Sequence, residues 1–122
     1  MDDPLLVACL CAAWCTTCDA YRPVLTAVAA QHPGMRFAWI DIEEDADALG
    51  DDALDIETFP TVMVLRAGQP LFHGTLLPHA TTLLRLLDSL QAGATSAGSA
   101  VPPAMAAAVW RLGPQRPLQR AA

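Results

Sequence analysis

The feature that most constrains this chain is the unbroken apolar run Leu5-Leu6-Val7-Ala8-Cys9-Leu10-Cys11. It has the length of a strand and no polar alternation, the pattern of a strand covered on both faces in a largely parallel sheet. Such a strand needs a helix after it and a second strand beyond. From Cys15 to about Gln31 the apolar residues Tyr21, Val24, Leu25 and Val28 recur at three- and four-residue steps, and His32-Pro33-Gly34 stops the pattern. Pro23 falls inside this helix and is expected to kink it. Met35–Asp41 then reads as a second strand, completing a strand–helix–strand unit with a right-handed crossover.

The rest of the chain extends this frame. An acidic stretch from Asp41 to Glu57 is expected to hold a second helix around residues 45–54. Thr61-Val62-Met63-Val64-Leu65 is a β-branched strand, and Ala67-Gly68-Gln69-Pro70 turns it back into Leu71-Phe72-His73 as a hairpin. Pro78 opens a last helix with a stripe of Leu83, Leu84, Leu86, Leu87 and Leu90, ending at Gly93. The order is β-α-β-α-β-β-α. Residues 1–92 form one domain in this reading, and 93–122 an Ala/Gly/Pro-rich tail with a short helix at 105–112.

Composition excludes several functions. With 122 residues and 53% hydrophobic content, one core is expected and needs no disulfide staples. All thirteen acids lie in residues 1–92 against four arginines, while 93–122 carries three arginines and no acid. An acidic body argues against nucleic acid, which is bound through clustered cations. Met1-Asp2-Asp3-Pro4 leads straight into the apolar run without a charged segment and cleavage site, so no signal peptide, no membrane span and a cytoplasmic setting are expected. The nine acids between Asp41 and Glu57 read as a solvated helix face. His32, His73 and His79 have no ligand spacing.

The chemistry is concentrated in Trp14-Cys15-Thr16-Thr17-Cys18, where the buried strand hands over to the helix. Unpaired N–H groups and the positive end of the dipole at a helix N-terminus ease the deprotonation of a thiol there, and only the thiolate is a nucleophile. Two intervening residues put the second sulfur one turn inward, giving an exposed attacking thiol, Cys15, and a resolving thiol, Cys18. A Cys-x-x-Cys alone is also a zinc spacing. Cys9, Cys11, Cys15 and Cys18 together offer four thiolates for zinc or an iron–sulfur cluster, the alternative reading; a docking module of the same fold without turnover is a third.

This motif and its setting resemble the thioredoxin family. Trp-Cys-x-x-Cys stands there at the same strand-to-helix junction, a proline follows five residues after the second cysteine, as Pro23 does, and a cis-proline precedes a later strand, as Pro60 does in Phe59-Pro60-Thr61. The hairpin with Gly68 and Gly74 and the final helix agree. The resemblance implies a three-layer α/β sandwich over about residues 5–91, in a minimal form without the family's usual first strand and helix. It implies a protein disulfide reductase without cofactor or metal, with Cys15 and Cys18 catalytic and Trp14, Thr16, Thr17, Phe59 and Pro60 docking a disulfide-containing protein. Electrons would come from a donor such as a thioredoxin reductase or a glutathione system.

Departures from the family sharpen the reading. Thr16-Thr17 replaces the Gly-Pro of thioredoxins proper, and Asp19 stands where a cation is usual. The family's buried acid, which helps deprotonate the resolving cysteine, corresponds here to Cys9, an auxiliary thiol expected beneath Cys18. The absent first strand would leave the edge of Met35–Asp41 open, to be covered by the tail or by a second copy in a homodimer.

Overall fold

A computed structural model of the chain describes residues 4–12, 15–49, 61–75, 79–92 and 103–118. Four strands, β1 (Leu5–Cys11), β2 (Arg36–Asp41), β3 (Thr61–Arg66) and β4 (Gln69–Thr75), form one sheet in the order β2-β1-β3-β4. β1 runs parallel to β2, with Leu6 opposite Arg36 and Cys11 opposite Asp41. It is antiparallel to β3, with Leu5 opposite Arg66 and Leu10 opposite Thr61. All seven residues of β1 are buried, as its continuous apolar run requires of a central strand.

The alternation of β1 sends its side chains into two separate cores. Leu5, Val7, Cys9 and Cys11 meet α1 (Thr16–Gln31) through Cys18, Tyr21, Leu25 and Val28, and α3 (Ala80–Gln91) through Leu83, Leu87 and Leu90. Leu6, Ala8 and Leu10 face the other way, onto α2 (Ala46–Leu49) and α4 (Pro103–Leu112). Helices therefore cover both faces, the three-layer α/β arrangement expected. α1 runs unbroken through Pro23, whose ring is exposed. Of the expected leucine stripe on α3, Leu84 and Leu86 are half-buried. The described part of the second helix covers only 46–49; the remainder of the expected 45–54 lies outside the described residues.

Residues 103–118, which fall in the segment read as a tail, are built into both the core and the sheet edge. Met105, Ala106, Ala108, Val109 and Leu112 of α4 are buried against β1 and β2. After a 3-10 turn at Gly113–Gln115, the chain lies antiparallel along the outer edge of β2, with Ala38 opposite Pro117. Trp39 N–H donates to the Arg116 carbonyl at 2.9 Å and Leu118 N–H to the Phe37 carbonyl at 3.0 Å. Proline is tolerated in such a place because the pairing asks for donors only from its neighbours. Of the two covers expected for the β2 edge, the structure supplies the first.

Side chains fasten this strip. The Arg116 guanidinium forks onto the Asp45 carboxylate, Nη2 to Oδ1 at 2.8 Å and Nε to Oδ2 at 3.1 Å, and Asp45 is only 7% exposed. Arg22 stacks on the Trp39 ring at 4.9 Å and reaches the Leu118 carbonyl at 3.5 Å. Asp41 accepts backbone N–H bonds from Glu43 and Glu44 at 2.8 and 3.1 Å, a local turn that leads into α2. Asp41 and Asp45 in this stretch thus have structural partners. Among the described residues no helix is long and apolar enough to cross a membrane.

Candidate redox site

β1 delivers the chain to the site and α1 begins there. Cys15 is the N-cap of α1, with extended φ and ψ of −87° and 111°. Its N–H donates to the Ala12 carbonyl at 3.0 Å, closing the turn out of β1. Its sulfur accepts the N–H of Cys18 at 3.4 Å, taking the role a serine or aspartate oxygen plays at other helix starts. A backbone donor is thereby aimed at the atom that carries the charge of an attacking thiolate before the attack, and again when Cys15 is the leaving sulfur. None of the four cysteines is disulfide-bonded.

Exposure separates the two motif thiols. Cys15 is half-buried at the surface, whereas Cys18 is 1% exposed on the inner face of α1. Burial, followed by hydrogen bonds from Cys11 and Cys15, pushes the Cys18 thiol far above the ordinary thiol range. Thr16 and Thr17 lie exposed on the first turn between them, and Asp19 is exposed just beyond. Trp14, Phe59 and Pro60, the other expected docking residues, lie outside the described residues. A polar groove of about 560 Å³ opens beside the motif, bounded by Ala12, Asp19, Arg22, Trp39, Glu44 and Arg116.

Behind the motif lies a second pair of thiols. Cys9 and Cys11 alternate with Leu10 on β1 and so point to the α1 face, with their sulfurs 3.3 Å apart and both residues at most 1% exposed. Cys11 is the inner thiol that bears on Cys18, with Cys9 one step further in. The hydrogen bond with Cys9, then burial, pushes the Cys11 thiol up as well. Tyr21 completes the pocket. It is fully buried, its hydroxyl has no hydrogen-bond partner among the described residues, and burial and the nearby Cys9 and Cys11 thiols hold it un-ionised. Sequence reasoning missed Tyr21 and the Cys11–Cys18 contact, although the Cys-x-Cys alternation on a strand already put both sulfurs on one face. Among the described residues no three His, Cys, Asp or Glu side chains are arranged to hold a metal ion.

Comparison with known proteins agrees with this geometry. The thioredoxin family profile matches residues 1–88. A curated relative, the putative thioredoxin H10 of Arabidopsis thaliana, is 34% identical over 65 residues, 53% of this chain. The match spans only 41% of that relative's length. Among solved structures, Chlamydomonas reinhardtii thioredoxin f2 superposes with a TM-score of 0.64 at 23% identity, covering 75% of this chain and 82% of its own. Fasciola hepatica thioredoxin gives 0.62 at 22% identity, covering 71% and 81%. These two carry the fold, and the profile match carries the membership: the chain belongs to the thioredoxin family.

Proposed function

We propose that this chain is a protein disulfide reductase that works through Cys15 and Cys18. The observation that carries the reading is the pairing of a half-exposed sulfur at the N-cap of α1 with a buried sulfur one helical turn behind it. The Cys15 thiolate attacks one sulfur of a substrate disulfide, and the other substrate sulfur leaves as a thiolate. Cys18 then attacks the Cys15 sulfur, the second substrate thiolate leaves, and the chain retains a Cys15–Cys18 disulfide. A donor such as a thioredoxin reductase or a glutathione system restores the dithiol.

The reducing direction is supported by Cys18. Strong thiol oxidants owe their potential to a stabilised reduced form, a thiolate held at low pKa. Here burial and neighbouring thiols disfavour the Cys18 thiolate, so Cys18 adds no such stabilisation to the reduced pair. Thr16 and Thr17 frame the approach to Cys15, and Trp14 is a further docking residue in this reading. Phe59 and Pro60 complete the docking residues in this reading, and the setting is the reducing cytoplasm.

Trapping tests the assignment of roles. A Cys18→Ser variant mixed with a disulfide-containing protein should accumulate a mixed disulfide through Cys15, whereas Cys15→Ser should accumulate none and lose turnover. Equal trapping by both variants, or by neither, contradicts the assignment.

A further inference from the structure

The four thiols gather beneath the start of α1: Cys15 lies at the surface, and Cys18, Cys11 and Cys9 share the buried cluster behind it, with Cys9 and Cys11 in sulfur contact. Exchange of the family type uses only the outer two. The inner pair is buried, reduced and in sulfur contact at 3.3 Å. Beside it stands a fully buried tyrosine hydroxyl without a partner. A buried hydroxyl left unpaired costs free energy, and its donor is available to a negative sulfur formed next to it.

We propose that Cys11 is a second, internal resolving thiol, which takes over Cys18 from the Cys15–Cys18 disulfide and returns Cys15 to the surface as a free thiol. This rests on the exchange reading above, which supplies the Cys15–Cys18 bond. The Cys11 sulfur attacks the Cys18 sulfur; the Cys11–Cys18 bond forms as the Cys15–Cys18 bond breaks. Cys15 leaves as a thiolate and takes up the proton that Cys11 gave up. Nothing is oxidised or reduced overall, because the oxidised pair moves one place inward.

The transfer stops at Cys11. Residues two apart on an extended strand stand about 6.6 Å apart at Cα, within the range a disulfide spans but well beyond its commonest value, so a Cys9–Cys11 bond is the strained alternative. β1 is held in that extended form by ladders to β2 and β3 on its two sides. Cys9 therefore positions Cys11 through the sulfur contact, and the Tyr21 hydroxyl is the donor for the Cys11 sulfur as it gives up its proton. The product is an oxidised protein with a surface nucleophile and no partner thiol ready to resolve it. It captures a second disulfide-containing partner at Cys15 and holds it.

The full-length chain is oxidised with glutathione disulfide and quenched with acid, its free thiols are then blocked with N-ethylmaleimide in denaturant at near-neutral pH, and it is cleaved with chymotrypsin after Trp14 and Tyr21. The cut after Trp14 separates Cys9 and Cys11 from Cys15 and Cys18. The expected product is a disulfide between the two peptides with one maleimide on each. It should be lost in Cys11→Ser, retained in Cys9→Ser, and formed several-fold more slowly in Tyr21→Phe, while the Cys15–Cys18 disulfide forms in all three. Unlinked peptides, with both maleimides on the Cys9/Cys11 peptide, overturn the relay and leave the exchange reading standing. A cross-link that survives Cys11→Ser but not Cys9→Ser overturns the choice of Cys11. Two maleimides on the Cys15/Cys18 peptide at every oxidant concentration overturn the exchange reading and the relay with it.

Discussion

Shortening Met105 to alanine tests whether α4 belongs to the folded core. Met105 is 2% exposed and lies in the cluster that includes Leu6, Ala8 and Leu10 of β1 and Leu49 of α2. Met105→Ala removes three buried heavy atoms and leaves a void between α4 and the sheet. Substitutions of this kind cost about 2–5 kcal/mol, the spread depending on how far the site collapses. Alanine's better helix propensity returns only a few tenths, so about 3 kcal/mol is expected. For a chain of this size that lowers Tm by about 10–15 °C. Urea unfolding followed by far-UV circular dichroism should show a lower midpoint at unchanged slope. The exposed Ala107, replaced by Gln on the same helix, should move stability by no more than about 0.5 kcal/mol. If Met105→Ala behaves like Ala107→Gln, α4 does not pack as described.

Further outcomes follow from the same contacts. The folded state keeps Cys11 and Cys18 protonated, Cys11 through its hydrogen bond with Cys9 and burial, Cys18 chiefly through burial. Stability is therefore full below about pH 8.5, where the unfolded chain also holds these protons, and falls above it by up to about 1.4 kcal/mol per pH unit for each thiol. Urea midpoints between pH 7 and 9.5 measure this, and Cys11→Ala should lose roughly half the slope. Arg116→Ala strips the buried Asp45 carboxylate of its fork and should lower the midpoint more than Arg111→Ala, with Asp45→Asn recovering part of the loss. A Cβ added at Gly113 would stand 2.6 Å from Leu6 Cδ2. Gly113→Ala must displace a packed leucine and should cost about 1–3 kcal/mol by thermal unfolding.

The elements whose signals are local were legible in the sequence. The seven apolar residues of β1, the three- and four-residue steps of α1 and the β-branched run of β3 each declare their period, and the motif falls at the junction they define. The turn at Ala67 and Gly68, both at positive φ (51° and 80°), closes the expected hairpin in the geometry favoured by two-residue loops. What was not legible is long-range. Arg116-Pro117-Leu118 has no strand signature of its own and pairs with β2 only because an open edge lies beside it. Asp45 looked like one solvated acid among nine until Arg116 folded back on it. The thiol array followed from the period of β1, but which sulfur touches Cys18 depends on where α1 crosses the sheet, and spacing does not encode that.

The central claim is that Cys15 and Cys18 form a reversible dithiol/disulfide couple at the reducing end of the scale. Equilibration of the full chain with graded ratios of reduced and oxidised glutathione, read as the loss of two alkylatable thiols by intact mass, tests it directly. The predicted result is one two-electron transition with a potential of about −270 mV that disappears in Cys15→Ser. A transition nearer −120 to −180 mV would contradict the reducing direction, and the absence of any reversible couple would contradict the exchange chemistry itself.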